Sequence, residues 1–305
     1  MITALAGGVG AARFLTGLVR LVSEEELTVI VNTGDNITLH GLHISPDTDI
    51  VTYTLAGVVD ENKGWGIRGD TFRCLEALKK LGEETWFRLG DNDMATSVYR
   101  TALLSEGVDL SEVTARIARA FGLRVAILPM TNDKFETQIK TTSGTFHFEE
   151  YLVKRKAQDE VLGVSYLGVD RAEPAPRVLD AIADSELVVV CPSNPVVSIG
   201  TILTVKGIRD SLRKTHARKV AISPIVGGAP VKGPADKLLK GLGHEVSALG
   251  VAELYRDFMD TFVIDTVDSK DRTKIEELGV RVKVANTIMR SLDDKVSLAK
   301  AVLEG

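Results

Sequence analysis

The chain has 305 residues, 44 % of them hydrophobic and 26 % charged, with a net charge of -5. That is enough apolar material for one large domain or two smaller ones, and the acidity argues against nucleic acid as the main partner, since backbone-phosphate binding needs a basic face. Cys74 and Cys191 stand far apart without CxxC or Cys/His spacing, which excludes a sequence-evident zinc site and a disulfide framework.

In chain order, Ile2 to Leu5 is a short apolar run that stops at Ala6-Gly7-Gly8-Val9-Gly10, and Phe14, Leu15, Leu18 and Leu21 follow at helical spacing. The unit reads strand, glycine turn, helix. The N-terminus leads straight into this strand with no basic region or cleavage site of a signal peptide. Leu27 to Val31 is a second unbroken apolar strand, ending in Asn32-Thr33-Gly34-Asp35-Asn36. Strands of this kind return at Val125–Leu128, Leu187–Cys191, Val220–Ile222 and Phe262–Ile264, with helical stretches such as Lys237–Leu242 and Leu292–Leu303 after them. Continuous apolar strands alternating with helices predict a doubly wound α/β fold with a mostly parallel sheet covered on both faces.

The stretch from Ser45 to Gly122 reads differently, as mostly helical. Ser45-Pro46 is a helix start, Asp70 opens a helix carrying Phe72, Leu75 and Leu78, and Asp109 with Glu112 makes a capping-box pattern before Val113 and Ile117. The expected organisation is therefore a core formed by residues 1–44 and 123–305, with a small helical subdomain inserted over 45–122. Gln138 to Phe148 alternates around Ser143-Gly144 and predicts a β-hairpin without chemistry of its own. No apolar run approaches the roughly 20 residues that span a bilayer, so neither a membrane nor a nucleic acid is an expected partner, and the cytoplasm is the expected location.

Three constellations carry chemistry. Gly7, Gly8 and Gly10 let the backbone turn sharply and bring N–H groups near a phosphate. Arg13 stands where a dinucleotide fingerprint has its third small residue, and no Gly-Lys-Ser/Thr follows, so neither that fingerprint nor a P-loop is matched. Taken alone the turn is equally compatible with an empty strand–helix connection. It gains weight from the loops Pro192-Ser193-Asn194-Pro195 and Ser223-Pro224-Ile225-Val226-Gly227-Gly228, which also follow strands, where α/β sheets bind ligands. Ser193, Asn194, Ser198, Gly227 and Gly228 would supply donors beside Thr33, and Lys232 a charge for phosphate. The second constellation is acidic: Asp35, Asp47, Asp49, Asp91 and Asp93, of which Asp35 and Asp47 are the expected Mg²⁺ ligands. For Asp47 and Asp49 the competing explanation is a helix first turn, where any carboxylate gains about 0.3 to 1 kcal/mol. The third is Gly64-Trp65-Gly66 with Trp86-Phe87-Arg88, a stacking surface for a planar ring or simply a buried seam. His40 and His43 lack partners at ligand spacing and are assigned no role.

Together the segments Ala6–Phe14, Val31–Asp35, Ile44–Asp49, Gly64–Gly66, Arg88–Asp91, Pro192–Gly200 and Ser223–Gly228 resemble the 2-phospho-L-lactate transferases, in that family's order, over about three quarters of the chain. The resemblance implies a Rossmann-like core with a small helical subdomain, a homodimer, a Mg²⁺ requirement, and a role in coenzyme F-420 biosynthesis. It implies transfer of a 2-phospholactyl group, or a close analogue such as phosphoenolpyruvyl, from lactyl-2-diphospho-5'-guanosine or its analogue to the deazaflavin FO, with release of GMP. Asp49 and Arg88 fall where FO is bound in that pattern, and Asp49 is the expected proton acceptor. One departure is Asn92, where members often carry Arg. Two rivals stand beside this expectation: a nucleotide-sugar-binding regulator of the related gluconeogenesis-factor type, and an NAD-dependent dehydrogenase. The dehydrogenase is disfavoured by the missing third glycine and by Asn32-Thr33 in place of a ribose-binding acid.

Overall fold

The computed structural model describes residues 1–304. Seven parallel strands form one sheet: β1 (Ile2–Ala6), β2 (Leu27–Val31), β3 (Ala126–Pro129), β4 (Leu187–Val190), β5 (Arg218–Ile222), β6 (Thr261–Asp265) and β7 (Arg281–Ala285). Their order across the sheet is β3-β2-β1-β4-β5-β6-β7. This is the doubly wound order of the Rossmann fold, with the direction of winding reversing between β1 and β4.

The reason for the unbroken apolar strands is visible in the packing. Side chains alternate between the two faces of a strand, so each strand must be apolar at every position when both faces are covered. Leu5, Ile30, Val188 and Val190 belong to one buried cluster, whereas Ala4, Ala6, Val29, Val31 and Val189 belong to the other. The second cluster is closed by helix α1 (Gly8–Leu18), through Phe14, Leu15 and Leu18, and by the C-terminal helix Leu292–Glu304, through Leu298 and Val302.

Between β2 and β3 lie a small hairpin, Ile37–Leu39 with Leu42–Ile44, and four helices: α2 (Pro46–Leu55), α3 (Arg73–Lys80), α4 (Asp91–Ser105) and α5 (Leu110–Ala120). Ile50, Val51 and Tyr53 of α2 and Ala118 of α5 pack into the same cluster as α1. Ile44, Leu89 and Met94 form a small cluster of their own farther out. The segment is thus seated on the sheet by α2, α5 and the loop around Val59, Trp65 and Ile67.

Several local expectations come out differently. Ser45 occupies the N-cap of α2, yet its Oγ is buried without a hydrogen-bond partner. Asp109 caps α5 by position only, because the Ser111 N–H is taken by Asn132 Oδ1 at 2.8 Å and Glu112 turns to Arg116 and Arg119. A side chain from the loop after β3 has displaced the local cap. The hairpin Glu136–Thr141/Gly144–His147 forms, and Val161–Leu167 adds to it as a third antiparallel strand. The β7 edge strand, Arg-Val-Lys-Val-Ala, was also absent from the sequence reading. Among the described residues no helix is long and apolar enough to cross a membrane.

Candidate active site at the sheet switch point

A cavity of about 800 Å³ opens at the carboxyl ends of the strands, where β1 and β4 part in winding direction. Crevices at this point of a doubly wound sheet are where ligands bind. The glycine turn forms one wall. Gly8 has φ +66, a left-handed conformation that glycine adopts without strain. A Cβ on Gly7 would stand 2.4 Å from Ser198 Cβ, and one on Gly10 2.2 Å from the Pro192 carbonyl oxygen. Glycine is required here because the turn is pressed against the loop that follows β4.

The N–H groups of this turn are partly committed within the protein. Gly7 N–H donates to Ser193 Oγ at 3.2 Å. The Asp47 carboxylate of α2 lies beside Gly8 at the positive end of α1, 3.3 Å from where a Gly8 side chain would begin. Asp47 Oδ2 accepts from Asn32 Nδ2 at 2.9 Å, and Asn32 in turn accepts the Gly34 N–H. Asn32, which stands where a dinucleotide binder would hold ribose with an acid, is buried and ties three loops together.

The adjoining wall is acidic. Asp35, Asp47, Asp49, Asp93 and Glu149 all line the cavity and all are buried. Asp49 is ion-paired with Arg100, and only 1 % of Arg100 is exposed. Burial raises the Asp49 carboxyl while Arg100 and the Ser45 N–H pull it down. Asp93 accepts from the Tyr53 hydroxyl at 2.9 Å, and burial together with the charge of Asp49 pushes it up to about 7. Asp35, Asp47 and Glu149 have no such cation. Burial, then the charges of Asp47 and Glu149, hold the Asp35 carboxyl well above the usual range, and burial lifts Asp47 to about 6. Glu149 is pushed up to about 8 by burial and by Asp47. Asp35 Oδ1 is buried with no hydrogen-bond partner.

Among the described residues, no three His, Cys, Asp or Glu side chains already form a closed metal-binding group. Mg²⁺ asks for less, since it takes one or two carboxylates together with phosphate oxygens and water. An all-oxygen donor set, an orphaned Asp35 oxygen and buried carboxyls without a cationic partner fit such a hard cation, with Asp35 and Asp47 as the residues that would hold it.

A third wall is aromatic and cationic. Trp65 meets Phe72 edge-on at 6.3 Å, Arg88 lies 4.4 Å above the Phe72 ring, and Trp65, Trp86, Phe87 and Arg88 line the cavity. Lys232 reaches the same space, its ammonium 3.0 Å from where a Gly64 side chain would begin. Burial and the nearby Arg13 lower its pKa.

Of the residues singled out from the sequence, Gly7, Gly8, Gly10, Asp35, Asp47, Asp49, Arg88, Ser193, Asn194, Ser198 and Lys232 meet at this one cavity. Thr33, Gly227 and Gly228 lie outside its lining, and the Gly227 N–H is held by Asp268 at 3.0 and 3.1 Å. Asp91 is committed elsewhere too: it accepts from Thr71 and from the N–H groups of Arg73 and Cys74, at the start of α3. Asp70 reciprocates at the start of α4, accepting from the N–H groups of Asn92 and Asp93 and from Asn92 Nδ2. Asn92 is therefore bound to Asp70 at the start of α4. The sequence reading passed over Glu149, Thr287 and Arg290, which also line the cavity.

The fold and this site define a Rossmann-type α/β protein whose ligand pocket joins a glycine turn, buried carboxylates and an aromatic wall at the sheet switch point. A family model for "2-phospho-L-lactate transferase CofD" matches residues 2–297. A 2-phospho-L-lactate transferase of Methanothermobacter thermautotrophicus is 44 % identical over 99 % of this chain and 97 % of its own. A phosphoenolpyruvate transferase of Streptomyces griseus is 42 % identical over 99 % and 97 %. A solved structure from Bacillus halodurans, a member of the UPF0052 family, superposes with a TM-score of 0.66 over 99 % of this chain and 98 % of that one; at 15 % identity it supports the fold alone. The chain belongs to the 2-phospho-L-lactate transferase family. It is an enzyme of that kind, a transferase of coenzyme F-420 biosynthesis.

Proposed function

We propose that the enzyme moves a 2-phospholactyl or phosphoenolpyruvyl-type group from a guanosine diphosphate-linked donor, such as lactyl-2-diphospho-5'-guanosine, to the deazaflavin FO, releasing GMP. The observation that carries this reading is the convergence of the glycine turn, the Ser193 loop, Asp49 and Arg88 on one cavity. In the reaction, the terminal ribityl hydroxyl oxygen of FO attacks the phosphorus that bears the acid. A new P–O bond forms, the bond from that phosphorus to the bridging oxygen breaks, and GMP departs with the electron pair. The hydroxyl proton passes to an ionised carboxylate, for which Asp49 is proposed.

Phosphoryl-type transfer asks a protein chiefly for positioning and for neutralising charge. Lys232, Ser193, Asn194 and Ser198 stand beside the turn to hold the donor's phosphates, and Trp65, Phe87 and Arg88 supply an aromatic, cation-bearing lining for the deazaflavin ring. Mg²⁺ at Asp35 and Asp47 would neutralise charge on the diphosphate. The homodimer, the cytoplasmic location and the insertion over 45–122 as the acceptor-facing part of the enzyme belong to the same reading. No protein nucleophile is required, and Cys191 is buried with its thiol pushed up by desolvation.

The names of the relatives divide between two donor acids at nearly equal identity, so both acids belong in the test. The enzyme is incubated with FO, Mg²⁺ and, separately, the lactyl, enolpyruvyl and glyceryl guanylylated donors, and products are weighed by mass spectrometry. The expected result is one FO phosphodiester with stoichiometric GMP, abolished by a chelator. Absence of any FO adduct with all three donors would remove this assignment.

A further inference from the structure

We propose that Glu149 is a positioning residue for the cation at Asp35 and Asp47, and that the His147 imidazole sets it in place. The proposal rests on the Mg²⁺ requirement put forward above, but concerns cation binding alone, which is measurable without either substrate.

The argument begins with two hydrogen bonds. His147 ends the second strand of the small antiparallel sheet. Its Nε2 lies 3.1 Å from the Asn36 carbonyl oxygen, and its Nδ1 lies 3.1 Å from the Glu149 N–H. A ring placed between a carbonyl and an N–H satisfies both only with its proton on Nε2 and its Nδ1 free to accept. The imidazole thereby clamps the loop that carries Asp35 to the segment that carries Glu149, although the two are more than a hundred residues apart in the chain. Burial lowers the His147 pKa, in keeping with the neutral ring this clamp needs.

What the clamp delivers is a carboxylate in an unfavourable place. Glu149 is 6 % exposed and lines the cavity, and the charge acting on it is that of Asp47 rather than of any cation. Two further acids, Asp35 and Asp47, are equally buried, and Asp35 Oδ1 has no partner. Ionising all three in one buried space is unfavourable unless a positive charge joins them. The three do not already converge as direct ligands. A hard cation that keeps part of its water leaves room for an outer carboxylate, and such outer groups typically govern metal affinity 10- to 100-fold. Glu149 fills that role from the small sheet, so the cation would tie the sheet's last turn to the Rossmann core.

The test uses the full chain and Mn²⁺ as an EPR-visible probe, with free Mn²⁺ counted and no nucleotide or FO present. Glu149→Gln should weaken Mn²⁺ binding about 10-fold, and Glu149→Asp by less. A glutamate that merely supports the fold would give a lower melting temperature and unchanged Mn²⁺ binding. His147→Asn should weaken Mn²⁺ binding in the wild-type background and by clearly less in the Glu149→Gln background, since part of its effect passes through Glu149. Wild-type affinity in Glu149→Gln, full additivity of the two changes, or a wild-type chain that binds no Mn²⁺ each overturns the proposal. Weakened Mn²⁺ binding in Glu149→Gln alongside an enzyme that makes no FO adduct would sink the transfer reading alone.

Discussion

The two walls of the cavity are built on opposite principles. The glycine wall is sterically full: the Gly7 N–H is taken by Ser193, Asp47 lies against Gly8, and Gly10 touches the Pro192 carbonyl. The carboxylate wall is packed as closely but is electrostatically open, with Asp35, Asp47 and Glu149 lacking a counter-charge and Asp35 Oδ1 lacking any partner. The first wall is finished by the fold, whereas the second waits for a ligand. Strain left uncompensated in this way gathers at functional sites.

Breaking the one paired acid of the open wall should have the largest effect. Arg100→Met leaves the Asp49 carboxylate buried without its cation, which costs about 3 to 5 kcal/mol. Urea unfolding at neutral pH measures it. The double change Arg100→Met/Asp49→Asn should recover much of that loss, and a double variant as weak as the sum of the singles would show that the two do not act as a pair.

The closed wall fails by a different route. Gly10→Ala puts a methyl 2.2 Å from a backbone oxygen that cannot swing away. Overpacking of this kind costs about 1 to 3 kcal/mol, and here it should displace the Ser193 loop from the turn. Stability near wild type would mean that this wall is looser than its contacts indicate.

A smaller effect separates the walls by pH. Asp93 is raised to about 7, so the folded protein holds its proton more tightly than the unfolded chain does. Its contribution is therefore fully present below the unfolded carboxylate pKa and is lost as pH rises towards 7. Asp93→Asn should flatten the fall in stability across that window, by at most about 1.4 kcal/mol per pH unit, the limit for one proton. Parallel stability curves for the two proteins between pH 4 and pH 7 would contradict it.

The fold was legible where a single rule governs a whole element. The central strands are apolar at every position because helices cover both faces, and six of the seven were read from that alone. The seventh, Arg281–Ala285, sits at the sheet edge with Arg281 exposed and Lys283 half-buried, so its pattern gave no continuous run. In the site, the glycine turn was legible as a local signature, whereas Asp49 and Arg88 were singled out by the family resemblance. Nothing in the sequence pointed to Glu149, because the event that places Glu149 is a His147 ring reaching the Asn36 carbonyl. The Asp109 cap shows the same limit: Asp109 makes no side-chain cap bond, and the first-turn Ser111 N–H is met instead by Asn132 from the loop after β3.

Asn92 supplies the smallest effect and the finest cut between structure and chemistry. The family resemblance leads one to expect Arg there, which invites a role in binding phosphate, yet Asn92 is exposed at the start of α4 with its Nδ2 2.9 Å from Asp70 Oδ1. Asp70 keeps its bonds to the Asn92 and Asp93 N–H groups whatever side chain stands at 92. Asn92→Ala should therefore cost only about 0.5 kcal/mol, the low end for one solvent-exposed hydrogen bond. Both kcat and the donor KM should stay at wild-type values, because neither cavity wall includes this side chain. A rise in donor KM with unchanged melting temperature would show instead that the start of α4 reaches the phosphates. The open wall would then extend to the Asp70–Asn92 corner, and an arginine there would have a phosphate to meet.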